Sequence, residues 1–104
     1  MTTEKWQKFS KEEQILNIAA ELSRTKFWLK EKNKEQFLNC LNRAFELIDL
    51  TINASRHQRD LKELSRFRDV LAQFYVDEDK NIDDFVKIFK TLLMLNKFTS
   101  LVQI

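Results

Sequence analysis

The sequence predicts an all-α protein, a compact antiparallel four-helix bundle forming a single domain over residues 1–104. Three observations carry that expectation. The chain contains no glycine and no proline, where average usage would supply about a dozen of the two together. Glycine serves positive-φ turns and helix C-caps, and proline interrupts helices and sheet ladders. A chain lacking both reads as helices joined by short polar connections. Second, four stretches carry apolar residues at helical spacing. Third, each stretch starts behind a Ser or Asn able to cap it.

The first predicted helix covers 11–32. Ser10 precedes it and Glu13 follows three residues on, the pattern of a capping box. One stripe holds Ile15, Ile18, Ala19, Leu22 and Leu29, and a second holds Leu16, Ala20 and Phe27. The second helix covers 34–53, with Asn33 and Gln36 as its cap pair. Phe37, Leu41, Ala44, Phe45, Ile48 and Ile52 recur along one face of it. The connection at 31–33 is short, so these two helices are expected to form an antiparallel hairpin.

The third helix covers 56–76, with apolar Leu61, Leu64, Phe67, Leu71, Phe74 and Tyr75. Its stripe is rotated by more than a third of a turn from the stripe ending at Ile52, at about 100° per residue. A break near 53–57 follows, with Ser55 and Gln58 as a new cap pair. Residues 77–81 form the clearest linker. Asn81 then caps a fourth helix over 82–97, with Asp83 and Asp84 in its first turn, where the helix dipole favours anions. Its stripe is Ile82, Phe85, Val86, Phe89, Leu92 and Leu93, with Ile88 and Leu95 off it. The expected shared core is Leu22, Leu41, Phe45, Ile48, Leu64, Leu71, Phe89 and Leu93. Truncating Phe45 to Ala would cost about 3–5 kcal/mol if its ring sat inside that core.

Apolar residues make up 43% of the chain and charged residues 33%, enough for a core and for one wet face per helix. The net charge of +2 does not by itself imply a polyanionic partner. The N-terminal residues lack a signal-peptide apolar stretch, and no run approaches the ~18 apolar residues of a membrane span. A cytoplasmic location is therefore expected. Asn53-Ala54-Ser55 matches a glycosylation pattern, which without secretion is a chance match.

Little chemistry is legible. Without glycine there is no phosphate-cradling loop, nucleophile elbow or dinucleotide fingerprint. Asp77, Asp79 and Asn81 start like a calcium loop, but Ile82 stands where such a loop needs glycine and Ile88 where it needs a bidentate Glu. His57 and Cys40 are the only residues of their kinds, too few for a common zinc site. No cofactor and no metal are expected. Cys40 sits in an apolar pattern and reads as a small buried hydrophobe. No catalytic constellation is visible, so an enzyme ranks behind a binding module.

The third helix is basic. Arg59, Lys62, Arg66 and Arg68 are candidate phosphate contacts. Arg56–Asp60, Arg59–Glu63 and Arg66–Asp69 are spaced to pair within the helix, which leaves Lys62 and Arg68 in excess. That footprint makes nucleic acid the weaker partner class.

The hairpin, with Ala-Ala-Glu-Leu at 19–22 and Asn-Arg-Ala-Phe-Glu at 42–46, resembles the HEPN bundles of prokaryotic toxin–antitoxin systems over about half the chain. The resemblance lies in helical pattern only. HEPN ribonucleases carry an Arg a few residues ahead of a His. Here Arg56 adjoins His57, and Leu50, Thr51 and Ile52 hold the positions for that Arg. The resemblance therefore implies no nuclease, and the family is not assigned. The alternative function is a nucleic-acid-associated protein or a HEPN-like toxin–antitoxin component without the ribonuclease motif.

Aromatics off the main stripes point elsewhere. Relative to Ile15, Trp28 falls near roughly 220° on the helical wheel, and Leu16, Ala20 and Phe27 at about 120°. Trp6 and Phe9 also lie off the stripes. Exposed aromatics are enriched at interfaces. The expected function is thus a small helical protein-interaction module that forms a homodimer. Its candidate interface residues are Trp28, Phe27, Leu16 and Leu95. The competing account has Trp6 and Phe9 folding back over Trp28. Val102-Gln103-Ile104 resembles a ligand for PDZ-type domains. The apolar run 85–95 with Lys87 and Lys90 reads as either a membrane-surface helix or a core helix.

Overall fold

The structure, a computed structural model, describes residues 2–104. The elements are α1 (Thr3–Trp6), α2 (Lys11–Lys30), α3 (Lys34–Ala54), α4 (Gln58–Val76), α5 (Ile82–Leu93) and a 3₁₀ turn at Thr99–Leu101. Among the described residues there is no strand.

Three of the four expected caps act as the sequence indicates. The Ser10 hydroxyl accepts from the Glu13 N–H while the Glu13 carboxylate accepts from the Ser10 N–H. Asn33 accepts from the Gln36 N–H. Asn81 accepts from Asp83 and Asp84. The ends of the helices solve a harder problem, because no glycine is at hand. After α2, Lys32 takes φ 58°. The Lys32 N–H donates to the Leu29 carbonyl and the Asn33 N–H to the Trp28 carbonyl. That is a Schellman closure with lysine in glycine's place. At the end of α4 the Lys80 ammonium donates to the carbonyls of Phe74, Tyr75 and Asp77.

Three boundaries differ from the sequence expectation. A short helix, α1, precedes the four long ones. α4 starts at Gln58, with His57 as an N-cap that makes no side-chain cap bond, so Ser55 does not serve as the cap. Ser55 instead donates its N–H to Ile52 and ends α3. α5 stops at Leu93 rather than at 97. There the chain doubles back: the Thr99 hydroxyl donates to the Leu93 carbonyl at 2.6 Å, and Asn96 accepts from the N–H groups of Phe98 and Thr99.

α2 packs beside α3, α3 beside α4, α4 beside α5, and α5 closes the ring against α2. The radius of gyration is 13.2 Å, close to the ~13 Å of a compact chain near this length. Each long helix turns one stripe inward. Ile15, Ile18 and Leu22 meet Phe37, Leu41, Ala44 and Ile48, with Phe67, Leu71 and Phe74 from α4 and Phe85, Phe89 and Leu92 from α5. At one end the rings of Phe37, Phe74, Phe85 and Phe89 form a chain of contacts 5.5–6.5 Å between centroids. Phe85 and Phe89 are buried while Lys87 and Lys90 are exposed, so α5 is a core helix.

Of the expected core residues, Phe45 departs. It is half-buried, edge-on to Tyr75 at 5.9 Å with the Arg68 guanidinium 5.3 Å from its centroid. A ring in that border position forfeits less on truncation than one in the interior. Leu64 is buried, but outside the main cluster.

Trp6 corrects a second expectation. It is 1% exposed and belongs to the protein's own interior. Its indole N–H donates to the Thr51 hydroxyl at 2.8 Å, and Thr51 donates on to the Leu47 carbonyl. Gln14 donates to the Trp6 carbonyl. α1 therefore crosses α3 near its C-terminus. Trp28 lies near the opposite end of the α2–α3 hairpin, so Trp6 and Phe9 do not cover it.

Candidate interaction surface

Trp28 lies near the C-terminus of α2, where the helix turns into α3. Its ring is half-buried and packs on the core from outside. Phe27 beside it is 53% exposed and meets Trp28 edge-on at 4.8 Å. Trp28 forms part of an open groove of about 760 Å³, within the range of roughly 300–1,000 Å³ typical of binding clefts. Leu29, Phe37, Leu38, Tyr75 and Val76 complete its apolar lining.

The two rims of the groove differ in charge. Lys32 and Lys34 stand on the α2–α3 turn, Asp77 and Glu78 on the turn after α4. Val76, 68% exposed, leads into the acidic rim. Among the described residues none of these four charged groups makes an ion pair. Asp77 accepts one hydrogen bond from Gln73. Lys80 also lines the groove, but its ammonium is committed to the α4 carbonyls.

The other expected interface residues do not join this surface. Leu16 lies early in α2 and is 38% exposed. Leu95 is half-buried against the core just past α5. Met94, Phe98, Leu101, Val102 and Ile104 are exposed near the C-terminus, and Met94, Val102 and Ile104 line a second, smaller cleft. Of the residues lining the groove the sequence singles out Trp28, against which Phe27 packs, and not Lys32, Lys34, Tyr75, Val76, Asp77 or Glu78. No local pattern marks those residues, because residues 28–38 and 75–80 become neighbours only when the ring closes.

The basic helix is less free than its composition implies. Arg59 pairs with Glu63 at 3.4 Å, within the helix as expected. Asp60, expected to pair with Arg56, binds Lys11 of α2 at 2.7 Å instead. Arg68, expected in excess, reaches Asp49 of α3 at 2.6 Å, and that bond holds its guanidinium above its ordinary pKa. Arg56, Lys62 and Arg66 are exposed and outside any ion pair among the described residues, so the expected Arg66–Asp69 pair does not form. Three cations spread over residues 56–66 make a small phosphate footprint.

Cys40 is buried, and Arg43 donates to its sulfur at 3.2 Å and to Glu21 at 3.4 Å. The sulfur contact first, then the carboxylate, raises the Arg43 pKa. His57 is exposed at the start of α4, in a shallow cleft with Lys11, Arg56 and Asp60. Among the described residues no three His, Cys, Asp or Glu side chains are grouped to hold a metal ion, and no helix is long and apolar enough to cross a membrane.

No family model, no curated protein and no solved structure matches the chain. The surface is therefore read from its own chemistry.

Proposed function

We propose that this chain is a small helical protein-interaction module that self-associates. The observation supporting this reading is the open groove floored by Trp28, Leu29, Phe37, Leu38 and Tyr75, with Phe27 and Val76 exposed beside it. Apolar and aromatic surface left in water at a concave site is the usual material of an interface anchor. The exposed cations of α4 are too few to favour nucleic acid over a protein partner.

Light scattering over a tenfold concentration range tests the reading on wild type and Phe27→Glu. Phe27 is the residue to change because more than half of its surface is already in water, so the core tolerates a charge there. The wild-type mass should rise from that of one 12.6 kDa chain towards twice that value, and the variant should stay low. A wild type holding the mass of one chain throughout ends the self-association reading.

A further inference from the structure

We infer that the groove beside Trp28 receives a second copy of this chain, the acidic α4–α5 turn of each copy seating against the Lys32–Lys34 rim of the other. The inference rests on the self-association reading above and adds the contact that would specify it.

The argument is charge complementarity. The groove is lined by Lys32 and Lys34 from the α2–α3 turn and by Asp77 and Glu78 from the α4–α5 turn, where the Lys80 ammonium is already held by the α4 carbonyls. A uniformly acidic or basic partner would meet a like-charged rim, which costs affinity and disfavours the encounter. The surface is, however, its own complement. A two-fold axis along the groove brings the Lys32 and Lys34 rim of one copy over the Asp77 and Glu78 rim of the other, and repeats the pairing on the opposite side. Isologous contacts require that self-complementarity. The four groups have no ion-pair partner within their own chain among the described residues. Glu31 and Glu35 lie next to the basic rim in sequence but do not line the groove.

Val76 supplies the apolar part. It is 68% exposed and immediately precedes the two carboxylates. With the two grooves face to face, Val76, which lines its own groove, meets the apolar lining of the facing copy while Asp77 and Glu78 reach its lysines. Exposed ion pairs contribute little affinity each. Their part is to fix register and orientation, and the apolar floor supplies the affinity.

Reciprocal charge reversal on the full chain, read by sedimentation equilibrium, tests this. K32E/K34E places carboxylates on both rims, and D77K/E78K places lysines on both. Each variant alone should associate about tenfold or more weakly than wild type, because both seams become repulsive. An equimolar mixture of the two restores both seams and should associate like wild type, as should the fourfold variant carrying all four changes. That recovery also shows that the substituted chains still fold. Single-rim variants that associate like wild type overturn the inference and leave self-association standing on another surface. Weakened variants that do not recover on mixing overturn it as well. A wild type that stays monomeric overturns both this inference and the reading beneath it, and leaves a foreign chain as the occupant.

Discussion

The indole N–H of Trp6 donates to the hydroxyl of Thr51 at 2.8 Å, joining residues 45 positions apart. Thr51 passes its own proton to the Leu47 carbonyl at 2.7 Å, so no polar atom in this buried relay is left unmet. The relay fastens the N-terminal segment to the end of α3 and gives a side chain absent from every helical stripe a place in the interior.

Thr51→Val should therefore lower stability by about 1–3 kcal/mol in urea melts, since it leaves the indole N–H buried without an acceptor. Trp6→Phe removes the donor but leaves the Thr51 hydroxyl its Leu47 carbonyl, so it should cost less than Trp6→Ala, expected near ~3–5 kcal/mol. Equal losses for Phe and Ala at position 6 would show that the ring contributes nothing beyond its N–H.

Lys32 holds a left-handed backbone conformation, φ 58°, which costs a residue with a Cβ roughly 1–2 kcal/mol. Glycine escapes that cost but loses more chain entropy on folding. Lys32→Gly should thus stabilise the fold by about 0.5–1 kcal/mol, whereas Lys32→Ala should give no gain. Thermal and denaturant melts of the two variants check it.

Glu13 accepts from the Ser10 N–H at 3.0 Å. That backbone bond, with help from the Ser10 hydroxyl, holds its carboxyl below the ordinary value of 4.5. A carboxyl with a depressed folded-state pKa binds fewer protons when folded than when unfolded. Its stabilising effect is complete above 4.5 and fades as the pH falls through the lower folded value. The wild type should accordingly lose more stability between neutral pH and pH values below that range than Glu13→Gln does. Parallel acid titrations of the two proteins, followed by circular dichroism, would fail this prediction if the curves differed by a constant offset.

The long helices were legible because their signals are local. Ser10 with Glu13, Asn33 with Gln36, and Asn81 each lie within one turn of the N–H groups they satisfy. The break after Ala54 was legible from the rotation of one stripe against the next. Trp6 was not legible, because a four-residue helix is too short to show a period and its partner is 45 residues distant. The end of α5 was missed for a related reason. No glycine or proline marks the stop; the Thr99 hydroxyl bonds back to the Leu93 carbonyl and turns the chain. Of three ion pairs expected within α4 only Arg59–Glu63 forms; Lys11–Asp60 and Arg68–Asp49 bridge helices, and neither they nor Arg24–Glu21 within α2 were foreseen. The groove divides in the same way. The outward direction of Trp28 follows from helical geometry, but its rims come from two turns that only tertiary packing unites.

The ring order of the helices sets how this chain reaches its native state. Each long helix packs beside the next one along the chain, so most of the search is between neighbours joined by short turns. The sequence-distant steps include docking α5 and the 3₁₀ turn at Thr99–Leu101 onto α2 and laying the N-terminal segment across α3. Folds dominated by such local pairings cross their barrier in microseconds to milliseconds. With no proline in the chain, the unfolded population also lacks the slow peptide-bond isomers that delay refolding by tens of seconds in other proteins. Stopped-flow refolding should accordingly be complete within milliseconds and show no proline-limited slow phase.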